Sequence, residues 1–208
     1  MQLKTSDMSS LDVYRTLTQT IIPRPIAWIL TDSGEKSYNL APFSYFNVVH
    51  SDPALVMVSI GRRDNGERKD TRANIVRNKQ CVIHIADSSM AEAVTKSSLP
   101  VEFGESEVEL GGHEVIHDLE LTDLPRLKNS KVAFACELDQ EIAVGKDKKH
   151  GMLLLLVKEI YIADEICTKT NDRLKVDAQK LDPLGRLGGN DYALFGEIKT
   201  VARPEYQP

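Results

Sequence analysis

The sequence predicts a mainly β protein, a mostly antiparallel barrel with peripheral helices, and three observations lead there. At least six segments are rich in β-branched and aromatic residues and read as strands. The helical segments are few, short and not interleaved with strands as βαβ units, which disfavours a doubly wound parallel sheet. Two of the strand segments, KVAFACELD from Lys131 and GMLLLLVKEIYIA from Gly151, are long, and the second can cross a whole barrel wall. At 208 residues the chain suits a single domain over 1–208 that can bury its own core.

Residues 1–20 form an N-terminal extension in which Leu11, Tyr14 and Leu17 recur at helical spacing behind Ser9 and Ser10, either of which can cap the helix. Pro23 and Pro25 end it. IAWIL from Ile26 reads as a strand, TDSGEKS as a turn, and YNLAPFSYFNVV as a second strand. After SDP at 51–53, ALVMVSI gives a third strand that stops at Gly61. The polar stretch from Gly61 becomes helical after Asp70, which stands where a cap is needed, and CVIHIA follows as a strand. Ser88 or Ser89 can cap a helix through MAEAVTK, beyond which a glycine- and acid-rich loop runs to about residue 115. From about 165 to 208 the chain, closing in LDPLGRLGGNDYALFG, is punctuated by glycine and proline and is expected to wrap over the body.

The formal charge of −5 is mixed along the chain, so extensive nucleic-acid binding is not expected. GKDKKHG at 145–151 is the densest basic cluster and reads as a solvated loop. MLLLLV at 152–157 is far too short to span a bilayer, and no signal peptide is visible, so the expectation is a cytoplasmic protein without a membrane partner. Cys81, Cys136 and Cys167 are odd in number and sit in apolar surroundings, which predicts reduced core thiols.

Residues 113–117 spell HEVIH, the H-E-x-x-H pattern of zinc proteases. Such a site needs a helix to bring both imidazoles onto one ion. Gly111 and Gly112 precede the motif, two central residues are β-branched and Pro125 follows, so His113 and His117 are expected in a loop or at a strand edge, with no metal. Cys81 and His84 fall on opposite faces of a strand and cannot ligate one ion together.

The chemistry concentrates in NLAPFSYFNVVHSDPALVMVSIG at 39–61 and RKDTRAN at 68–74. Ser44 and Ser59 lie near strand ends, and Lys69, Asp70 and Thr71 begin a helix whose free N–H groups suit a phosphate. Lys69 adds a full charge and the hydroxyls add donors. Phe43 and Tyr45 share a face by strand alternation and can wall a planar ring. From the residues alone, the ligand is a phosphorylated planar molecule.

IPRPIAWILTDSGEKSYNLAPFSYFNVVHSDPALVMVSIG, then KDTRANI, VAFACELDQEIAVG, GMLLLLVKEIYIAD and PLGRLGGNDYALFG, resemble the flavin reductase-like, FMN-binding split-barrel family, flavoredoxin-like flavoproteins included. The resemblance runs from about residue 20 to about 204. It implies a homodimeric six-stranded split β-barrel of Greek-key type with FMN near the subunit interface. It carries the cofactor role to Asn39, Ala41, Phe43, Ser44, Tyr45, Ser59, Ile60, Gly61, Arg62, Lys69, Asp70 and Thr71, with His150 near the flavin and Arg186, Gly188, Gly189 and Tyr192 in a tail motif. No acid–base or nucleophile set emerges from the residues, and flavin chemistry scarcely requires one, since hydride passes directly from nicotinamide to flavin. The implied activity is an NAD(P)H-dependent flavin or FMN reductase, with NADH or NADPH as donor. The alternatives are an electron carrier between partner proteins and a flavin-binding module without redox role.

Overall fold

A computed structural model of the protein describes residues 1–34, 37–99, 101 and 105–204. The elements in chain order are α1 (Ser10–Thr20), β1 (Arg24–Pro25), β2 (Ala27–Gly34), β3 (Ser37–Phe43), β4 (Phe46–Ser51), β5 (Ala54–Ile60), α2 (Asp70–Asn78) and β6 (Gln80–His84). They continue as α3 (Ala91–Lys96), α4 (Glu107–Leu110), β7 (Val115–Ile116), β8 (Arg126–Leu127), β9 (Val132–Val144) and β10 (His150–Ile162). The tail holds β11 (Cys167–Thr170), β12 (Arg173–Val176), α5 (Ala178–Leu181), β13 (Gly185–Arg186) and β14 (Tyr192–Ala193). Glu35 and Lys36 of the first turn, and part of the acid-rich loop before residue 115, lie outside the described residues.

One seven-stranded sheet in the order β3-β2-β6-β9-β10-β5-β4 dominates, and all its pairings are antiparallel. The stretch YNLAPFSYFNVV, expected as one strand, is two. It breaks at Ser44 and Tyr45, and its halves occupy opposite ends of the sheet order. Because they are joined by only two residues, the sheet must curl until its edges meet. The Ser59 amide of β5 donates to the Tyr45 carbonyl at 2.8 Å, which carries the β4–β5 pairing one rung further into that corner.

Burial explains the pattern of the longest apolar runs. In β10, Gly151, Leu153 and Leu155 point inward, while Met152, Leu154 and Leu156 stay half-buried on the outer face. Strand β2 is buried on both sides, which is why AWIL does not alternate with polar residues. Ala27 and Ile29 join Val58, Ile60, Ile83, Leu153 and Leu155 and are capped by Ile75 of α2. Trp28 and Leu30 face the other way, into a cluster with Leu40, Val94 of α3 and Val108 of α4. At about 25 cal/mol per Å² of apolar surface, each such side chain contributes roughly 1.5–3 kcal/mol when fully buried.

Three local expectations need correction. Asp70 does not cap α2: Lys69 takes the N-cap position in an extended conformation without a side-chain cap, and Asp70 is the first helical residue, paired with Arg63. Cys81 and Cys136 are buried partners across β6 and β9, but Cys167 is half-exposed at the start of β11, because the turn before it leads out of the core. The segment after residue 165 also contains a hairpin, β11–β12, that its polar sequence did not announce. Its final part does lie on the body: Leu184 N–H donates to the Ala86 carbonyl at 2.9 Å, and β13 pairs with β1.

HEVIH is not helical. Val115 and Ile116 form the two-residue strand β7 against β8, and His117 is exposed. His113, in contrast, is half-buried with its ring edge-on to Trp28 at 5.2 Å between centroids, and burial lowers its pKa. No cluster of three or more candidate metal ligands occurs among the described residues. His84 is a fully buried core residue: one ring nitrogen meets the Trp28 carbonyl at 3.0 Å and the other accepts from Leu127 N–H at 3.0 Å. Among the described residues no helix is long and apolar enough to cross a membrane.

Candidate functional site

The exposed edge of β3 and the start of α2 form the walls of a cleft. Asn39, Ala41, Phe43, Lys69, Asp70 and Thr71 line a cavity of about 150 Å³ together with Arg63, Leu99 and Glu107. Pro42, Phe43 and Ser98 also line the adjoining cavity of about 190 Å³, whose far wall is Ser44, Arg186 and Tyr192. The two spaces are thus consecutive parts of one cleft. It runs from a cationic helix start, past a phenyl ring, to a serine beneath the wrapped tail.

Its geometry follows from a few buried polar ties. The Asn39 amide donates to Thr71 Oγ1 at 2.9 Å, and both residues are almost fully buried. Having accepted that bond, the Thr71 hydroxyl keeps its own proton for another acceptor. One turn further along α2, Asn74 donates to Thr31 Oγ1 at 3.1 Å and fixes the helix against β2. Lys69 is exposed, its Nζ lies 5.9 Å from the Phe43 ring centroid, and among the described residues it forms no ion pair. An ammonium without an ion pair among the described residues, free first-turn N–H groups and a spare hydroxyl proton are the donors that an anion needs. Asp70 sits in the same wall, but its charge is matched by Arg63.

Glu107 closes the back of this cavity. Its Oε2 accepts from the Leu40 amide at 2.9 Å, an N–H that edge strand β3 would otherwise leave unpaired. Burial raises its pKa above the usual carboxylate range. At the other end, Arg186 lies 4.8 Å from the Tyr192 ring and donates to the Asp191 and Gly189 carbonyls. Tyr192 Oη meets Thr95 Oγ1 at 2.9 Å, which pins the tail to α3.

The remaining sequence candidates fall elsewhere. Ser59 is at the barrel corner, with its amide on Tyr45, whose own ring is exposed. Ile60 is fully buried. Arg62 donates to the Lys149 and Gly66 carbonyls, and Gly61 faces His150, whose ring would stand 3.0 Å from any added Cβ. Neither cavity wall includes Ser59, Ile60, Gly61, Arg62 or His150. Arg63, Ser98, Leu99 and Glu107 line the cleft without having been singled out from the sequence. Alternation beyond Gly61 could have nominated Arg63 in place of Arg62. Nothing local marks Ser98, Leu99 or Glu107, which reach the cleft only through the packing of α3 and α4 on β3.

A curled antiparallel sheet with a cationic helix start and an aromatic wall at its β3 edge defines the split-barrel class. Residues 19–174 match the flavin reductase like domain, and the chain belongs to that family. It is similar to nitrilotriacetate monooxygenase component B from Bacillus cereus, at 32% identity and a TM-score of 0.88 over 97% of this chain and 98% of that one. It is also similar to the 2-nitrobenzoate 2-nitroreductase of Pseudomonas fluorescens, at 26% identity and a TM-score of 0.87 over 100% of this chain and 98% of that one. A split-barrel protein of Shewanella frigidimarina shares the fold at 17% identity and a TM-score of 0.80, over 98% of this chain and 100% of that one.

Proposed function

We propose that the protein binds FMN in this cleft and works as an NAD(P)H-dependent flavin reductase, a cytoplasmic homodimer. The observation that carries the reading is the cleft itself, in a chain of this family: Lys69, without an ion-pair partner among the described residues, and the spare Thr71 proton at one end, Phe43 in the middle, Ser44 at the other. Fit can be judged from this donor set. A phosphate suits the Lys69 and Thr71 end, because both groups donate and neither is neutralised there. The apolar wall of Ala41, Pro42 and Phe43 suits a flat heteroaromatic ring. Bound flavin supplies the hydride chemistry; the protein's residues hold, orient and shield it.

The similarity to a monooxygenase component and to a nitroreductase supports oxidoreductase work of this kind. Dimerisation is supported by the outer faces of β5 and β10, where Leu55, Met57, Leu154 and Leu156 are only half-buried, next to exposed Val48 and Val49 of β4. Leu11, Tyr14 and Leu17 of α1 add a second exposed apolar stripe. Uncovered apolar strands of this extent fit a self-complementary partner.

The test is anaerobic stopped-flow mixing of the purified yellow protein with NADH or NADPH. Rapid bleaching of the flavin band by either donor is the expected result. A colourless protein that gains no flavin spectrum on adding FMN would overturn the reading. Flavin that resists both nicotinamides but is reduced by dithionite would favour the electron-carrier alternative instead.

A further inference from the structure

We infer that Arg24 is a positioning residue of the cleft: its guanidinium holds the Ser44 hydroxyl as a donor and places an uncompensated positive charge behind it. The inference rests on the flavin reading above. Arg24 is buried, and its Nε lies 3.3 Å from Ser44 Oγ. Nη1 donates to the Thr18 carbonyl and, at 3.1 Å, to the Ile21 carbonyl; Nη2 donates to the Leu187 carbonyl at 2.9 Å. Every one of these acceptors is neutral.

That is unusual within this molecule. Arg72 and Arg126, equally buried, are paired with Glu141 and Asp118. Among the described residues no carboxylate pairs with Arg24, so the burial cost of its charge is offset only by carbonyl dipoles. Two of those carbonyls end helix α1, where the helix dipole is negative and favours a cation. The nearest residue across the ladder is another arginine, Arg186, in direct register with Arg24. Like charges in opposed positions destabilise a strand pair. Among the described residues neither cation is neutralised by a carboxylate: Arg186 lines the cleft and Arg24 stands behind Ser44, so charge balance there calls for a negative ligand.

The hydrogen bond to Ser44 sets what that wall offers. A hydroxyl has one proton and two acceptor lone pairs. Once Ser44 Oγ accepts from Arg24, its proton is directed to another partner, and Ser44 lines the cavity shared with Phe43 and Arg186. A fixed cation beside a ligand stabilises whichever form carries more negative charge, and for a flavin that accepts a hydride this is the reduced form. Arg24 would thus bias the site toward reduced flavin, with the tail carbonyl of Leu187 holding the guanidinium in place.

The experiment is equilibration of the FMN-loaded protein with redox dyes under anaerobic conditions, for the parent, Arg24→Gln and Arg24→Lys. In Arg24→Gln the preference for reduced over oxidised flavin should fall about tenfold, a drop of about 30 mV for a two-electron couple. Arg24→Lys should recover most of the loss because it keeps the charge. Equal shifts in both variants would show a merely structural clamp, and an unshifted potential in a yellow, folded Arg24→Gln protein would overturn the inference alone. If Arg24→Gln fails to fold, Ser44→Ala removes the donor without touching the clamp; its potential should also fall, and an unchanged value would count against the proposal. A parent protein that takes up no flavin overturns both this inference and the reading beneath it.

Discussion

Replacing Lys69 by methionine removes the one charge, which stands 5.9 Å from the Phe43 ring centroid, and keeps a stem of similar length. A hydrogen bond to a charged group is worth about 1.5–3 kcal/mol, and exposed ion pairs about 0.2–1 kcal/mol. Lys69 is exposed, so its contact with a phosphate belongs between these ranges, near 1–1.5 kcal/mol. That corresponds to a rise of roughly tenfold in the dissociation constant for FMN. The neighbouring Thr71 hydroxyl and the α2 N–H groups remain, so binding is weakened and not abolished. Riboflavin, which lacks the phosphate, serves as the control ligand. The parent should prefer FMN, and Lys69→Met should erase about a tenfold part of that preference while leaving riboflavin affinity alone. Isothermal titration or flavin fluorescence quenching reads all four constants. Equal weakening of both ligands would move Lys69 away from the phosphate, and no change in either ligand's constant would return it to the solvated surface.

Other outcomes follow from the same geometry. His113→Ala should cost about 1–2 kcal/mol in urea unfolding, since it deletes an edge-on ring contact with Trp28 as well as partial burial, whereas exposed His117→Ala should stay within about 0.5 kcal/mol; equal small effects would deny the packing role, and stoichiometric zinc in untagged protein would restore the metal reading. His84 has its pKa lowered by burial to about 4 from 6.5, so the unfolded chain takes up a proton first as pH falls. Its contribution is complete above 6.5 and is lost down to about 4, amounting to roughly 2 kcal/mol by pH 5, and a pH-independent unfolding midpoint between 7 and 5 would contradict this. Light scattering at micromolar concentration should give about twice the chain mass of 23.2 kDa, and a monomer that retains FMN would remove the dimer.

Much of this was legible in the residues, because period and composition act locally. The inward set Leu153 and Leu155, the helix behind Ser9 and the two glycines that keep HEVIH from becoming a helix are each determined within a few positions of chain. The grouping of Lys69, Asp70 and Thr71 in one cavity wall was legible for the same reason: they are consecutive at a helix start. Pairing choices were not. That the strand through Asn39 to Val49 breaks at Ser44 is decided by the curl of the sheet, which sends its halves to opposite ends of the strand order, and Pro42, which remains inside β3, does not mark the break itself. The cleft depends on contacts between segments far apart in the chain: Glu107 on Leu40, Arg24 on Leu187, Tyr192 on Thr95. Such contacts arise when apolar faces pack and bring distant backbones together, so a sequence encodes them only through the fold as a whole. The same packing put Arg63 in the wall while Arg62 turned away to the Lys149 carbonyl.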